Sequence, residues 1–293
     1  MRHLADDPRA LLRALAAGNF LGRSLPCGRL FRVEPTFFRR LQAECEALIA
    51  DHSTRPFTLA ENRTTPYGDA VQLCLLNRSG RLDDTSDTHD HSTLGKRFHH
   101  GDRFPTLASF IAAFPQAYNM RINTMGTKSG LSPHKEATLH RARDGGYYLR
   151  ARFHLPIATN PGAQMLIGRD VFHFAEGEVY FFHNGMVHSA ANEGATPRRH
   201  LVWDMLLSGA AVALMFGAAP APPFLARVRA ADWAVAPIRR HPGSAFEIVD
   251  GFRAESLYRR LHLQRFGIAP HQFCRWYLRA VGLRPRRIGF AEA

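Results

Sequence analysis

Between Ala117 and Leu207 the chain breaks into short apolar or alternating runs, separated at close intervals by Gly, Pro and Asn. The runs read YNMRINTM, YYLRARFHLPI, AQMLIG, VFHF, EVYFF, VHSAAN and HLVWDMLL. Many short strands at this spacing predict a sandwich or barrel of the jelly-roll kind. Helical spacing flanks the block. Residues 7–18 and 35–50 carry it, the second starting at Glu34-Pro35 and repeating Phe38, Leu41, Cys45 and Leu48. Leu107 to Phe114 reads as a short helix ended by Pro115, and Ala70 to Leu76 as a strand in an otherwise polar stretch from Arg55 to Arg103. The expectation is a mainly β protein with flanking helices in three regions: 1–116 with helices, first strands and a polar loop, 117–222 as the β core, and 223–293 as a basic helical region. A linker is expected around Arg239 to Gly243.

Composition narrows the class. An apolar fraction of 45% supports a real core, and 22% charged residues argue against disorder. Cys27, Cys45, Cys74 and Cys274 are scattered, with no zinc-type pairing, and the first residues lack the build of a signal peptide. Reduced thiols in the cytoplasm are therefore expected. The longest apolar run, Met205 to Pro223, is broken by Ser208, Gly209 and Gly217, which predicts a buried strand leading into a loop and no membrane span. A net charge of +13 invites a nucleic-acid reading, but 35 of the 38 basic residues are arginines, a bias that genome composition also produces. No RNA-binding motif, phosphate loop or zinc finger supports nucleic acid.

Geometry must choose among sixteen histidines. His134 and Glu136 stand two apart, so on a strand both project to one face. His188 lies 54 residues on, at the start of VHSAAN. Two imidazoles and a carboxylate make a facial set that holds Fe(II) with positions left open. Taken alone, the HKE triplet also fits solvated polar residues at a strand end. Ten residues past His188, the run RRHLVWD places Arg198, His200 and Val202 on one face and Arg199, Leu201 and Trp203 on the other. Alternation does not say which face is the cavity side. An inward Arg198 needs an anionic partner, and its fork suits a carboxylate.

The span PHKE…RARFHLPIATNPGAQ…GRDVFHFAEGEVYFFHNGMVHSAANEG…RRHLVWD resembles the aspartyl/asparaginyl β-hydroxylase family of Fe(II)/2-oxoglutarate-dependent oxygenases, most nearly its bacterial proline cis-hydroxylase type. The resemblance covers about Tyr118 to Leu207. It implies a double-stranded β-helix that uses Fe(II), 2-oxoglutarate and O₂ to hydroxylate an unactivated C–H bond, releasing succinate and CO₂. It also implies His134, Glu136 and His188 as metal ligands, Arg198 as the grip on the distal carboxylate of 2-oxoglutarate, and Arg152 and His154 as residues facing the cosubstrate. Relatives with an acidic ligand usually carry Asp where this chain has Glu136, and some dispense with the acid, which leaves Glu136 as ligand or bystander. The implied substrate is a small amino acid or an amino-acyl residue, free, in a peptide or on a carrier.

Two further segments stand out. Arg81 to His100 holds four histidines and four aspartates and reads as a polar loop near the mouth, where relatives shape substrate entry; a second metal site is the sharper alternative. From Arg239 onward eleven arginines face four acids, with Leu257, Leu261, Phe273, Trp276, Tyr277 and Ala280 at helical spacing. Amphipathic helices with solvated arginines explain this, as does a basic face for an acidic carrier protein. The rival functions are a cupin-like metal-binding or sensing module without turnover, and an adaptor working through its basic tail.

Overall fold

The structure is a computed structural model that describes residues 26–52, 55–56, 66–67, 69–134, 136, 139–141, 147–217, 219–240, 261 and 266. The expected helix at 7–18 and the amphipathic pattern beyond 240, Leu261 excepted, lie outside these residues. Fifteen strands are present among the described residues. The early ones are β1 (Cys27–Val33), β2 (Arg55–Pro56), β3 (Pro66–Tyr67), β4 (Ala70–Cys74), β5 (Ala117–Met125), β6 (Ser129–His134) and β7 (Leu139–Arg141). Then follow β8 (Tyr147–Ala158), β9 (Ala163–Ile167), β10 (Asp170–Phe172), β11 (Glu178–Phe182), β12 (His188–Asn192), β13 (Arg198–Leu206), β14 (Leu225–Arg227) and β15 (Arg239–Arg240).

The strands form two antiparallel sheets, the expected double-stranded β-helix. The larger has the order β14-β1-β11-β8-β13-β5-β4-β2, with β7 added to β8, and the smaller runs β15-β10-β9-β12-β6-β3. Both draw strands from outside 117–222, since β1, β4 and β14 pair into the larger sheet. The larger sheet is buried on both faces. One face packs Met120, Ile122, Phe153, Leu155, Leu201 and Trp203 against helices α1 (Pro35–Asp51) and α2 (Pro105–Ala112). Trp203 sits there with its ring centroid 4.7 Å from Phe114 and 5.6 Å from Phe110 and Phe153. Each such buried aromatic contributes about 2–3 kcal/mol through area removed from water. The other face meets the smaller sheet around Met125, Met165, Ile167, Phe172, Phe174 and Phe182.

This double burial settles the alternation of β13. Arg198, His200 and Val202 face the smaller sheet, whereas Leu201 and Trp203 face the helices and Arg199 reaches Glu46 of α1 at 2.8 Å. Helix α1 begins where expected, because Pro35 needs no N–H partner in a first turn and the Glu34 carboxylate accepts from Thr36 N and Phe37 N, each at 2.7 Å. Its buried stripe is Phe37, Leu41, Cys45 and Leu48; Phe38, expected inside, is only partly buried and packs against the core from its margin.

Two segments differ from expectation. Met205 to Pro223 leaves β13 not for a loop but for a helix, α3 (Gly209–Met215), whose first turn is capped by Ser208 Oγ accepting from Ala211 N at 3.2 Å. Alanine, valine, leucine and methionine propagate it once the cap nucleates. Residues 223–240 are mainly extended, with only a short 3-10 turn at Ala230–Asp232 in place of the expected helix. Leu225–Arg227 pairs with Phe31–Val33, and the expected linker begins instead as β15, Arg239 and Arg240 pairing with Val171 and Asp170. Backbone pairing at open sheet edges outweighs the helical spacing of that stretch.

Candidate metal centre

The site grows from a register. His134 at the end of β6 and His188 at the start of β12 are direct cross-strand partners, which brings their ring centroids to 4.2 Å. Glu136 follows, tied by its N–H to Asn184 O at 3.0 Å, and its Oε1 lies 3.7 Å from His134 Nε2. One ligand atom from each of the three lies within 4.8 Å of the others, and among the described residues no other His, Cys, Asp and Glu group gathers so.

Protons can be assigned at His188. Its Nδ1 is 2.9 Å from Met186 O, and a carbonyl only accepts, so Nδ1 carries the hydrogen and Nε2 the lone pair. That Nε2 is buried without a hydrogen-bond partner. Burial and the neighbouring His134 lower its pKa to about 3, so the ring is neutral. A neutral imidazole with an orphaned inward lone pair, oriented by a carbonyl behind it, is what a metal ligand requires.

Arg198 lies deeper, only 2% exposed. Its Nη1 and Nη2 approach the sulfurs of Met125 and Met165 at 3.6 and 3.2 Å, and Nη2 donates to His200 Nδ1 at 2.9 Å. Among the described residues no carboxylate pairs with it, and burial pulls its pKa down to about 9. His154 Nδ1 is 3.2 Å from the same His200 nitrogen, which already accepts from Arg198, so His154 donates there. Its Nε2 is left as a second buried atom without a partner. Burial first, then Arg198, keeps both rings neutral.

Arg152 lies beside Glu136 and is already engaged. Its Nη1 donates to Glu136 Oε1 at 2.6 Å, and its Nε and Nη2 fork onto Asp204 at 2.7 and 3.2 Å. Arg150 pairs with the other oxygen of Glu136. With its carboxamide oxygen turned to Arg150, Asn184 accepts from Nη2 at 2.7 Å and Nε at 3.3 Å. Asp204, 1% exposed, also receives Arg121 Nη1 and Asn119 Nδ2, each at 3.2 Å. Burial pushes the Glu136 pKa up, but Arg152, the nearby His134 and Arg150 outweigh it and hold the carboxyl well below its usual range. Asp204 is brought to about 2 by Arg152 and Arg121 against the same opposition.

Asp204, Arg121 and Arg150 escaped the sequence reading. The alternation that put Arg198 and His200 inward extends two steps further to Asp204, and Arg150 precedes Arg152 by the same two-residue step. In register, Asn119, Asp204, Arg152 and Phe182 form one row across the sheet, and Arg121, Val202, His154 and Tyr180 the next.

The histidines and aspartates of 81–100 are employed locally instead of gathering around a second metal. Arg78 binds Asp87 and Asp90, His99 and His100 contact the carbonyls of Asn77 and Gly80, and Lys96 Nζ donates to the carbonyls of Asp87, Asp90 and Tyr118. The loop is thereby stitched to the start of β5, beside Asn119 and Asp204.

A double-stranded β-helix with a His, Glu, His cluster and a buried cation behind it defines the class of non-haem Fe(II)/2-oxoglutarate-dependent oxygenases. The sequence pattern of the family described as Aspartyl/Asparaginyl beta-hydroxylase matches residues 38–207, more than half of the chain, and the chain belongs to that family. It is an Fe(II)- and 2-oxoglutarate-dependent hydroxylase that consumes O₂. No curated protein sequence matches it. Similar solved structures include an oxidoreductase of the 2OG-Fe(II) oxygenase family from Burkholderia pseudomallei, with 16% identity over 66% of this chain and 89% of that one and a TM-score of 0.39. A prolyl-4-hydroxylase from Pseudomonas putida shows 13% identity, 66% and 98% coverage and a TM-score of 0.36. A prolyl hydroxylase from Trichoplax adhaerens, in complex with a hypoxia inducible factor peptide fragment, shows 8%, 70%, 94% and 0.43.

Proposed function

We propose that His134, Glu136 and His188 hold the iron, that Arg198 anchors 2-oxoglutarate, and that the enzyme hydroxylates an amino acid or an amino-acyl residue, free, in a peptide or on a carrier protein. The observation that carries this reading is the orphaned, buried Nε2 of His188 beside His134 and Glu136. Bound iron, with 2-oxoglutarate and O₂, supplies the oxidising power and yields succinate and CO₂.

The chain's own residues position and neutralise. Arg198 is a buried cation in want of an anion, and a dicarboxylate cosubstrate held at this centre would supply one. When Arg198 turns to that carboxylate it releases His200 Nδ1. With His200 then carrying its proton on Nδ1 and donating to His154 Nδ1, His154 carries its own proton on Nε2 and becomes a donor toward the cosubstrate. Arg152 serves the cosubstrate side through position, held by Asp204 and holding Glu136. Its charge also keeps Glu136 ionised, the state in which a carboxylate ligates. Glu136 reaches further than Asp by one methylene, and the two arginines behind it give that longer chain a fixed direction. The apolar walls around Met125, Met165, Phe174 and Phe182 exclude water.

The test is succinate formation with Fe(II), 2-oxoglutarate and a panel of free amino acids, peptides and carrier-bound aminoacyl groups. Substrate-stimulated succinate with a product 16 mass units heavier supports the reading. Iron binding without succinate under any condition, including uncoupled turnover, refutes it in favour of a sensing module.

A further inference from the structure

Away from the metal centre, at the outer edge of the larger sheet, lies an open groove of about 590 Å³. Arg29 and Arg32 of β1, Arg227 of β14 and Arg229 beyond it line this groove, together with Asp232. Each guanidinium is already held by a neighbouring group. Glu178, buried at the start of β11, accepts from Arg29 Nη1 at 3.2 Å and Arg32 Nη2 at 3.1 Å, and the Tyr180 hydroxyl donates to it at 2.9 Å. Arg227 lies 4.8 Å from the Phe31 ring centroid and donates to the Leu214 and Ala219 carbonyls at 2.8 and 3.0 Å. Arg229 Nε binds Asp232 at 2.8 Å.

Each of these contacts uses only part of a five-donor guanidinium. Four arginines against Glu178 and Asp232 leave the groove positive. Cations already fixed in direction lose less freedom when an anion arrives, which separates this groove from a scatter of surface arginines. The chain's own termini do not complement it. Residues 1–25 carry four arginines against two acids, and 241–293 nine against four, so neither supplies the net negative charge that would complement it.

The arginines are spread along two neighbouring strands, with the side chains of Arg32 and Arg229 65% and 84% exposed. A single phosphate binds best where several donors converge on one point; a row of separate forks suits successive carboxylates. We propose that this groove docks an acidic, extended segment of a partner protein. The groove meets β11 at Glu178, whereas the metal centre lies beyond Phe182 at the strand's other end, about 13 Å along it at 3.3 Å per residue. A partner seated there leaves the site open. The inference does not depend on the ligand assignments above.

The test uses the full chain and a fluorescent peptide of alternating Glu and Ala, followed by anisotropy at low and physiological salt. Binding that weakens with salt is expected, and Arg32→Glu/Arg229→Glu should weaken it at least tenfold while the chain stays folded and iron-dependent succinate formation stays at wild-type levels. Arg32→Gln/Arg229→Gln, which adds no repulsion toward Glu178, should give a smaller loss in the same direction. Arg259→Glu/Arg260→Glu in the basic tail is the control and should change binding little. The proposal is overturned if the groove variants bind as wild type, if the tail variant loses as much, or if inorganic phosphate competes the peptide away at micromolar concentration.

Discussion

Replacing Arg198 with methionine should make the ligand-free protein more stable and deaf to 2-oxoglutarate. The guanidinium is 2% exposed, surrounded by two methionine sulfurs and a neutral imidazole, and burial lowers its pKa from 12.5 to about 9. At 1.36 kcal/mol per pKa unit, keeping that charge inside costs about 5 kcal/mol. Methionine of similar length matches the neighbours, and replacing a buried charge by a packed apolar group commonly stabilises by about 1–4 kcal/mol. Allowing for the lost bond to His200, a gain of about 1–3 kcal/mol is expected. The sign with pH follows: the penalty is full below pH 9 and is relieved as pH rises through about 9 toward 12.5, so the variant's advantage shrinks on the alkaline side. Urea unfolding under anaerobic conditions with Mn(II), with and without 2-oxoglutarate, measures both effects. Wild type should gain about 2.7 kcal/mol at a hundredfold excess over Kd, and the variant nothing. A variant at least 2 kcal/mol less stable than wild type, or one still stabilised by 2-oxoglutarate, would refute the reasoning.

Other expectations follow from the same network. His188→Ala and His134→Ala should each lose bound metal in a direct metal assay, with little change in fold. Asp204→Asn should cost about 3–5 kcal/mol in urea unfolding at neutral pH, because Arg152 and Arg121 are left without their shared anion. Asp204 has a folded pKa of about 2 against an ordinary 3.8, so its contribution is present above pH 3.8 and lost as pH falls toward 2; the Asn variant should show a flatter acid limb over that window. Lys96→Met removes the ammonium that gathers three carbonyls, and limited proteolysis should then cut faster between 79 and 100 while the β core keeps its unfolding midpoint.

The β core was legible because period-two runs and turn residues are local signals, and His188 opens one of those runs; His134 ends β6, a strand outside them, and Glu136 lies past its end. The inward face of β13 was not legible from alternation, since both faces are buried and the polar residues of one face serve a site instead of solvent. Asp204 was hidden for the same reason. A lone aspartate beside Trp203 has no meaning until the register sets it opposite Arg152 and near Arg121. The pairing of β14 and β15 within 223–240 is not legible because their partners, β1 and β10, are distant in sequence and chain spacing holds no trace of them.

The most direct test of the account is an anaerobic crystal structure with Mn(II) and 2-oxoglutarate. The account predicts a metal bound by His134, by His188 through Nε2 and by a Glu136 oxygen, with the distal carboxylate of 2-oxoglutarate on Arg198. A metal bound elsewhere, or a cosubstrate that leaves Arg198 without an anion, would contradict it.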